Sequence, residues 1–268
     1  MVKLISLDLD GTLLDPKGQI TPASKAAIAE ARTAGIRVVI NTGRDCHEAA
    51  WFAQTARCEA VTSSVGGALV SEGKKTLRRW DVPETSAQRV LEQVLGWDID
   101  LMIFAGEQTL VNSNYKKILE KNYPFPAFHR NAEVTDDPVA YMASHGLPLT
   151  KLHGELNPSR YPLEELRAVE GVFLTTSSSH DFELIAAGAD KGRALAFIAA
   201  GYGIPLEQCA AVGDSPNDLE ALQAVGTPIA MGNAPQTVKA AAIRVAPSNR
   251  EEGVAWAIRS CLKRQKNG

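Results

Sequence analysis

The chain reads as an α/β protein, a doubly wound parallel sheet with an inserted α+β module, and three observations predict this. Short apolar runs alternate with helical patterns in the first third and again in the last third. Several of those runs stop at clusters of Asp, Asn, Thr and Gly, the composition expected where parallel strands face a ligand crevice. Between them the texture shifts to aromatics, prolines and mixed charge, as at Trp97, Phe104, Tyr115, Tyr123-Pro124-Phe125-Pro126 and Tyr141. The expected organisation is a core of residues 1–82 and 187–268, with residues 83–186 inserted as a second module.

Leu4 to Leu9 is an apolar run suited to a buried strand, ended by Asp10-Gly11. Thr21 is the expected N-cap of a helix with Pro22 at its first position. Ala23, Ala26, Ala27 and Ala31 favour that helix, and Gly35 fits its C-terminal end. Arg37 to Ile40 follows as a strand, Asp45 to Arg57 as a helix, and Val61-Thr62 as a short third strand. Ala68-Leu69-Val70 and Thr76-Leu77 flank Ser71-Glu72-Gly73-Lys74, which predicts a hairpin. In the insert, strands are expected at Leu101 to Phe104, Leu149 to Leu152, Val172 to Thr175 and Phe182 to Ile185. Helices are expected there at Thr85 to Leu95 and Pro162 to Val169. The last third gives helices at Asp190 to Ala200, Asp218 to Val225, Pro235 to Ala242 and Glu251 to Leu262. They alternate with strands at Ala210 to Val212, Pro228 to Met231 and Ile243 to Val245, as right-handed β/α units require.

A length of 268 residues allows one large domain or two modest ones with a substantial core. The formal net charge of −3 argues against nucleic acid, which calls for a basic surplus. No apolar run approaches the roughly 20 residues that cross a bilayer, so no membrane is expected. Asp8 comes too early for a secretory signal. Cys46, Cys58, Cys209 and Cys261 stand singly, as reduced thiols do, and the cytoplasm is the expected address. His47, His129, His145, His153 and His180 lack metal-like spacing and are read as surface or satisfied core residues. Gly66-Gly67 is read as a turn, and Lys116, Lys117, Lys121, His129 and Arg130 as a solvated charged face. Oligomeric state has no signature in the sequence.

Four strand ends carry chemistry. In Asp8-Leu9-Asp10-Gly11-Thr12-Leu13-Leu14 two carboxylates two residues apart can turn into one pocket, one to attack phosphorus and the other to manage protons. In Asn41-Thr42-Gly43-Arg44 a hydroxyl, a glycine N–H and a guanidinium fork compose an anion site. Lys191 opens a helix, where it opposes the helix dipole unless an anion binds at the same end. Gly213-Asp214-Ser215-Pro216-Asn217-Asp218 supplies a second acidic cluster, in which Asp214 can join Asp8 and the main-chain carbonyl of Asp10 around a Mg²⁺ ion. The plainer reading of Asn217 or Asp218 is a helix cap, which is compatible with that role.

In this order the four signals resemble the haloacid dehalogenase superfamily of phosphohydrolases, with Asp8 to Thr12, Thr42, Lys191 and Gly213 to Asp218 matching its four motifs. Phe182-Glu183-Leu184-Ile185, Val225-Gly226, Ala230-Met231-Gly232-Asn233-Ala234 and Ser248-Asn249-Arg250-Glu251-Glu252-Gly253 look like its Cof-type branch. The insert falls between the second and third motifs, where similar proteins carry a C2 cap. One departure is Val65-Gly66, where many relatives have Asn-Gly. The resemblance implies a Mg²⁺-dependent phosphatase acting on a small phosphorylated metabolite such as a sugar phosphate, nucleotide or phosphorylated cofactor. It implies Asp8 as nucleophile, Asp10 as acid and base, and Thr42, Gly43, Arg44, Lys191 and Asn217 around the phosphoryl group. Asp8, Asp10 and Asp214 are expected at the metal, with Asp218 behind them. Two rivals share the scaffold: a phosphomutase, which would accumulate an isomeric ester instead of inorganic phosphate, and a binding protein without turnover.

Overall fold

The computed structural model describes residues 1–122, 131–155, 161–176 and 180–266. Eight strands form one sheet: β1 (Leu4–Leu7), β2 (Arg37–Asn41), β3 (Val61–Ser64), β4 (Leu69–Glu72), β5 (Lys75–Arg79), β12 (Cys209–Gly213), β13 (Thr227–Ala230) and β14 (Arg244–Val245). Their order is β14-β13-β12-β1-β2-β3-β4-β5. Pairing is parallel from β14 to β3 and antiparallel through the β3–β4–β5 edge.

Strand periodicity explains the layers. Ile5, Leu7, Val38, Ile40, Ala210 and Val212 face one way and pack on α1 (Pro22–Thr33) and the C-terminal helix Gly253–Lys266, through Ala27, Ile28, Ala31, Val254 and Ile258. The alternate residues Leu4, Val39, Cys209, Ala211 and Ala230 face the other way, onto Ala194, Leu195 and Ile198 of helix Lys191–Gly201 and Leu222 of Leu219–Ala224. A strand apolar on both faces is what a sheet covered on both sides demands. The first helix has its expected cap: Thr21 accepts from the Ser24 N–H at 3.1 Å, and Gly35 takes φ +78° just past the end.

A second sheet, ordered β10-β11-β9-β6-β7-β8, contains β6 (Asp100–Ala105), β7 (Gln108–Val111), β8 (Ala132–Val134), β9 (Leu149–Glu155), β10 (Val172–Thr175) and β11 (Asp181–Ala186). All neighbours are antiparallel except β7 with β8. Strands β7 and β8 and the helices Ser113–Asn122 and Pro138–His145 lie beyond the elements read from the sequence. The last of these had legible signals: Asp137 accepts from the Ala140 N–H, Pro138 follows it, and Gly146 closes the helix at φ +61°. The Tyr123 to Pro126 run, His129 and Arg130 lie outside the described residues.

Candidate active site

Register brings the motifs together. Leu7 pairs with Val212 on one side and with Ile40 on the other, so Asp8, Asp214 and Thr42 all follow adjacent strands at the same edge of the sheet. After β1 the chain makes a wide turn over Leu9–Leu13, closed by Leu13 N–H on the Asp8 carbonyl and Leu14 N–H on the Leu9 carbonyl. Gly11 sits there at φ +75°, and a Cβ on it would lie 2.2 Å from Asp214 Oδ2, so only glycine lets that carboxylate come so near. Gly213 does the same for Asp218, whose Cγ would be 2.4 Å from a Cβ.

Asp8, Asp10, Gly43, Arg44, Lys191, Asp214 and Asn217 line one cleft of about 410 Å³. Thr42 and Asp218 lie just behind its wall, both buried. A larger hollow of about 1150 Å³ opens near Val2, Trp256 and Arg259, at the opposite ends of the strands. Among its lining residues Arg259 and Arg244 are bonded to Glu30 and Ser260, and among the described residues the acidic group that could hold a metal is Asp8, Asp214 and Asp218, so the smaller cleft is the candidate site.

Lys191 is its hub. Nζ donates to Asp218 at 2.7 Å, to Asp8 at 2.8 Å and to the Asn217 side-chain oxygen at 3.0 Å. Burial works against the ammonium charge, but Asp218 and Asp8 outweigh it and Lys191 keeps its proton far above its ordinary range. Asp218 also accepts the N–H groups of Asp214 and Ser215, which fixes its orientation. Asp214 accepts from the Thr12 hydroxyl at 2.9 Å and the Asn233 amide at 3.1 Å. Burial, then Asp218, pushes Asp214 up to about 6. Asp8 is raised too, by burial first, with Lys191 opposing and Asp218 and Asp214 adding to it.

Carboxylate oxygens of Asp8, Asp214 and Asp218 come within 4.8 Å of one another. Three carboxylates and one ammonium leave two negative charges uncompensated in a buried pocket, an arrangement that favours a cation. Hard oxygen donors of this kind suit a divalent cation such as Mg²⁺.

Other residues depart from the sequence reading. Arg44, expected on the phosphoryl group, has its fork on Asp10 at 2.6 and 2.7 Å, with Glu48 at 2.7 Å on the remaining side. Thr42 accepts from the Arg44 N–H through its hydroxyl. His153, read as surface or plain core, instead lines the cleft. Lys151, which no motif marks, and Glu183, which lies in the Phe182 to Ile185 stretch, form a buried pair at 2.8 Å. Lys151 also donates to the Gly43 carbonyl at 3.2 Å, and Glu183 accepts from the Asn217 amide at 3.5 Å. A continuous chain of contacts thus runs Lys151–Glu183–Asn217–Lys191–Asp8. The signal for it was present: Lys151, His153 and Glu155 alternate along β9, the mark of one polar face on a strand. Gly66-Gly67 does form a turn, and Lys117 and Lys121 are exposed.

The fold and this cluster define an α/β protein with an acidic, lysine-centred site, and comparison with known proteins gives the family. A model of the haloacid dehalogenase-like hydrolases matches residues 5–258, and the chain belongs to that family. It is 29% identical to phosphatase YwpJ of Bacillus subtilis, over 97% of this chain and all of that one. It is 28% identical to the pyridoxal phosphate phosphatase YbhA of Escherichia coli, over 97% and 98% of the two chains. A solved haloacid dehalogenase-like hydrolase from B. subtilis superposes with a TM-score of 0.85 at 26% identity, covering 96% of this chain and 99% of that one. The sheet topology agrees with that assignment, and among the described residues no helix is long and apolar enough to cross a membrane.

Proposed function

We propose that this chain is a Mg²⁺-dependent phosphatase that hydrolyses monoesters of small phosphorylated metabolites through an aspartyl-phosphate on Asp8. The observation that carries the reading is Lys191 held by Asp8, Asp218 and Asn217 at the mouth of the strand ends. The named activities of YwpJ and YbhA support the same reading.

Asp8, Asp214 and the main-chain carbonyl of Asp10 would hold Mg²⁺, which when bound supplies the positive charge that screens a dianionic ester from a carboxylate. Asp8 attacks phosphorus in line, forming the acyl phosphate as the ester oxygen departs. Lys191, with Thr42, Gly43 and Asn217, receives the phosphoryl oxygens, where charge builds in the transition state. Asp10 protonates the leaving oxygen and then takes a proton from the water that hydrolyses the intermediate. Arg44 acts on the reaction through Asp10: its bidentate grip holds the carboxyl group in position until substrate arrives. Asp218 orients Lys191 and the Asp214 loop. Residues 83–186 serve as the cap that excludes water and meets the leaving group.

The experiment is phosphate release from a panel of phosphorylated metabolites, with Mg²⁺ and with chelator. Asp8→Asn should abolish turnover while the melting curve survives. Retained turnover would remove Asp8 as nucleophile, and an accumulating isomeric ester would make the protein a mutase.

A further inference from the structure

Two side chains of the second sheet reach across to loops at the strand ends of the first. Lys151 on β9 and Glu183 on β11 are diagonal neighbours, since Lys151 pairs with Ile185 and Glu183 with His153, and their charged ends meet at 2.8 Å in a buried position. Two core loops run against this pair at glycines. A Cβ on Gly43 would lie 3.5 Å from Lys151 Nζ and 3.6 Å from Glu183 Oε1, and one on Gly66 would lie 3.7 Å from Lys151 Nζ.

Lys151 acts on the loop that follows β2. Three successive carbonyls there each accept a donor: Thr42 from the Gly66 N–H at 3.1 Å, Gly43 from Lys151 Nζ at 3.2 Å, and Arg44 from the Val65 N–H at 2.7 Å. Carbonyl and N–H point opposite ways across a peptide plane, so the grip on the Gly43 carbonyl also aims the Arg44 N–H. That N–H donates to the Thr42 hydroxyl oxygen at 3.2 Å, which leaves the hydroxyl hydrogen to be offered to a phosphoryl oxygen.

Glu183 acts on the loop that follows β12. One of its oxygens accepts from Lys151 and the other from the Asn217 amide nitrogen at 3.5 Å. With that nitrogen turned to Glu183, Asn217 presents its oxygen to Lys191 Nζ at 3.0 Å. The reverse orientation of the amide would set N–H groups against an ammonium.

We propose that Lys151 and Glu183 are positioning residues for the phosphoryl half of the site, the lysine setting the Thr42–Arg44 loop and the glutamate setting Asn217 against Lys191. The proposal rests on the phosphatase reading above. It gives the second sheet a part that is the same for every ester, since both side chains bond to loops of the first sheet.

The test is the inhibition constant of inorganic phosphate, with orthovanadate in parallel, measured on the full chain with Mg²⁺ against a generic aryl phosphate. Neither probe carries a leaving group. Partial unfolding lowers the number of active molecules without moving the constant, so a purely structural pair would leave it in place. Lys151→Met and Glu183→Leu should each raise it by about tenfold, the scale of one misdirected hydrogen bond to a charged group. Ratios of kcat/KM among esters of different alcohols should stay within about twofold of the wild type's. The double variant, Lys151→Met with Glu183→Leu, buries no unpaired charge and gives the same reading if a single variant does not fold. Constants that stay within about twofold of the wild type's overturn the proposal, and so do ester ratios that move, which would make the pair a determinant of specificity. Either result with a wild type that turns over defeats the positioning role alone. A wild type that releases phosphate from no ester defeats the phosphatase reading with it.

Discussion

Two lysines, each 1% exposed, stand on opposite walls of the cleft, and they are held for different reasons. On the strand-end side, Lys191 serves two carboxylates and an amide oxygen beside a third carboxylate, Asp214, and the charges do not balance. On the side of the second sheet, Lys151 has one carboxylate and one carbonyl, and the pair is neutral by itself. A pocket left short of positive charge is made to be completed by something that binds. A self-neutralised pair supplies position instead, and here it touches the loops of Gly43 and Asn217.

The largest expected effect follows from the unbalanced side. Lys191→Met leaves Asp8 and Asp218 buried without their cation, which should cost about 3–5 kcal/mol of stability and at least about 10²-fold in turnover. Adding Asp218→Leu to it should recover stability in a denaturant titration and leave turnover lost. Recovery of turnover would mean that Lys191 serves only the fold.

Lys151→Met should also destabilise, by about 3 kcal/mol, because Glu183 remains charged and buried. Here the double variant with Glu183→Leu should regain most of the stability, since a neutral pair can be exchanged for apolar contact. Its remaining defect should fall on turnover, because Asn217 has lost the acceptor that orients its amide toward Lys191. If the double variant turned over as the wild type does, the chain of contacts from Lys151 to Asp8 would be structural alone.

The same wall predicts a pH dependence. Burial would raise Glu183, but Lys151 and then His153 outweigh it and leave the carboxyl below its ordinary 4.5. Burial lowers His153 below 6.5, opposed by Glu183, Asp181 and Glu155 and reinforced by Lys151. Both groups bind protons more readily in the unfolded chain, so both contribute stability at neutral pH that is lost on acidification. The contribution of these two groups to the melting temperature should begin to fall near pH 6.5 and fall further below pH 4.5, against the opposite contribution of Asp8 and Asp214, whose carboxyls are raised. His153→Gln should flatten the upper part of that descent and leave the lower part. An unchanged profile would show that His153 is solvated in the folded protein.

How far the sequence carried differs between the two sheets for a physical reason. In the first, the central strands β1, β2 and β12 are apolar on both faces and end abruptly in polar residues, so Asp8, Thr42 and Asp214 marked their own positions. The second sheet has one face toward the cleft and mixes Lys151, His153 and Glu183 into apolar strands, so its cleft-lining residues read as ordinary strand or core. Its β8 is three residues long, with Glu133 at the centre, too short for periodicity to register. Arg44 differs again: a guanidinium at a strand end is expected to meet an anion, and sequence spacing does not say that the carboxylate of Asp10 takes its fork in the structure.

Val65 joins the two regions and supports the smallest prediction. Its side chain is 2% exposed among apolar residues of the second sheet, while its N–H donates to the Arg44 carbonyl at 2.7 Å. Its φ is +56°, a left-handed conformation that a β-branched residue adopts only under strain. This gives the Asn-Gly of similar proteins a backbone meaning, since asparagine tolerates that region better than valine does. Val65→Ala removes apolar contact and keeps the strain, and should cost about 1.5 kcal/mol. At an ordinary position a further change to glycine would cost about 1 kcal/mol more. Here φ is positive, so Val65→Gly should be more stable than Val65→Ala by about 1 kcal/mol. The sign of that difference in paired denaturant titrations decides the matter, because packing loss alone would rank the two variants the other way.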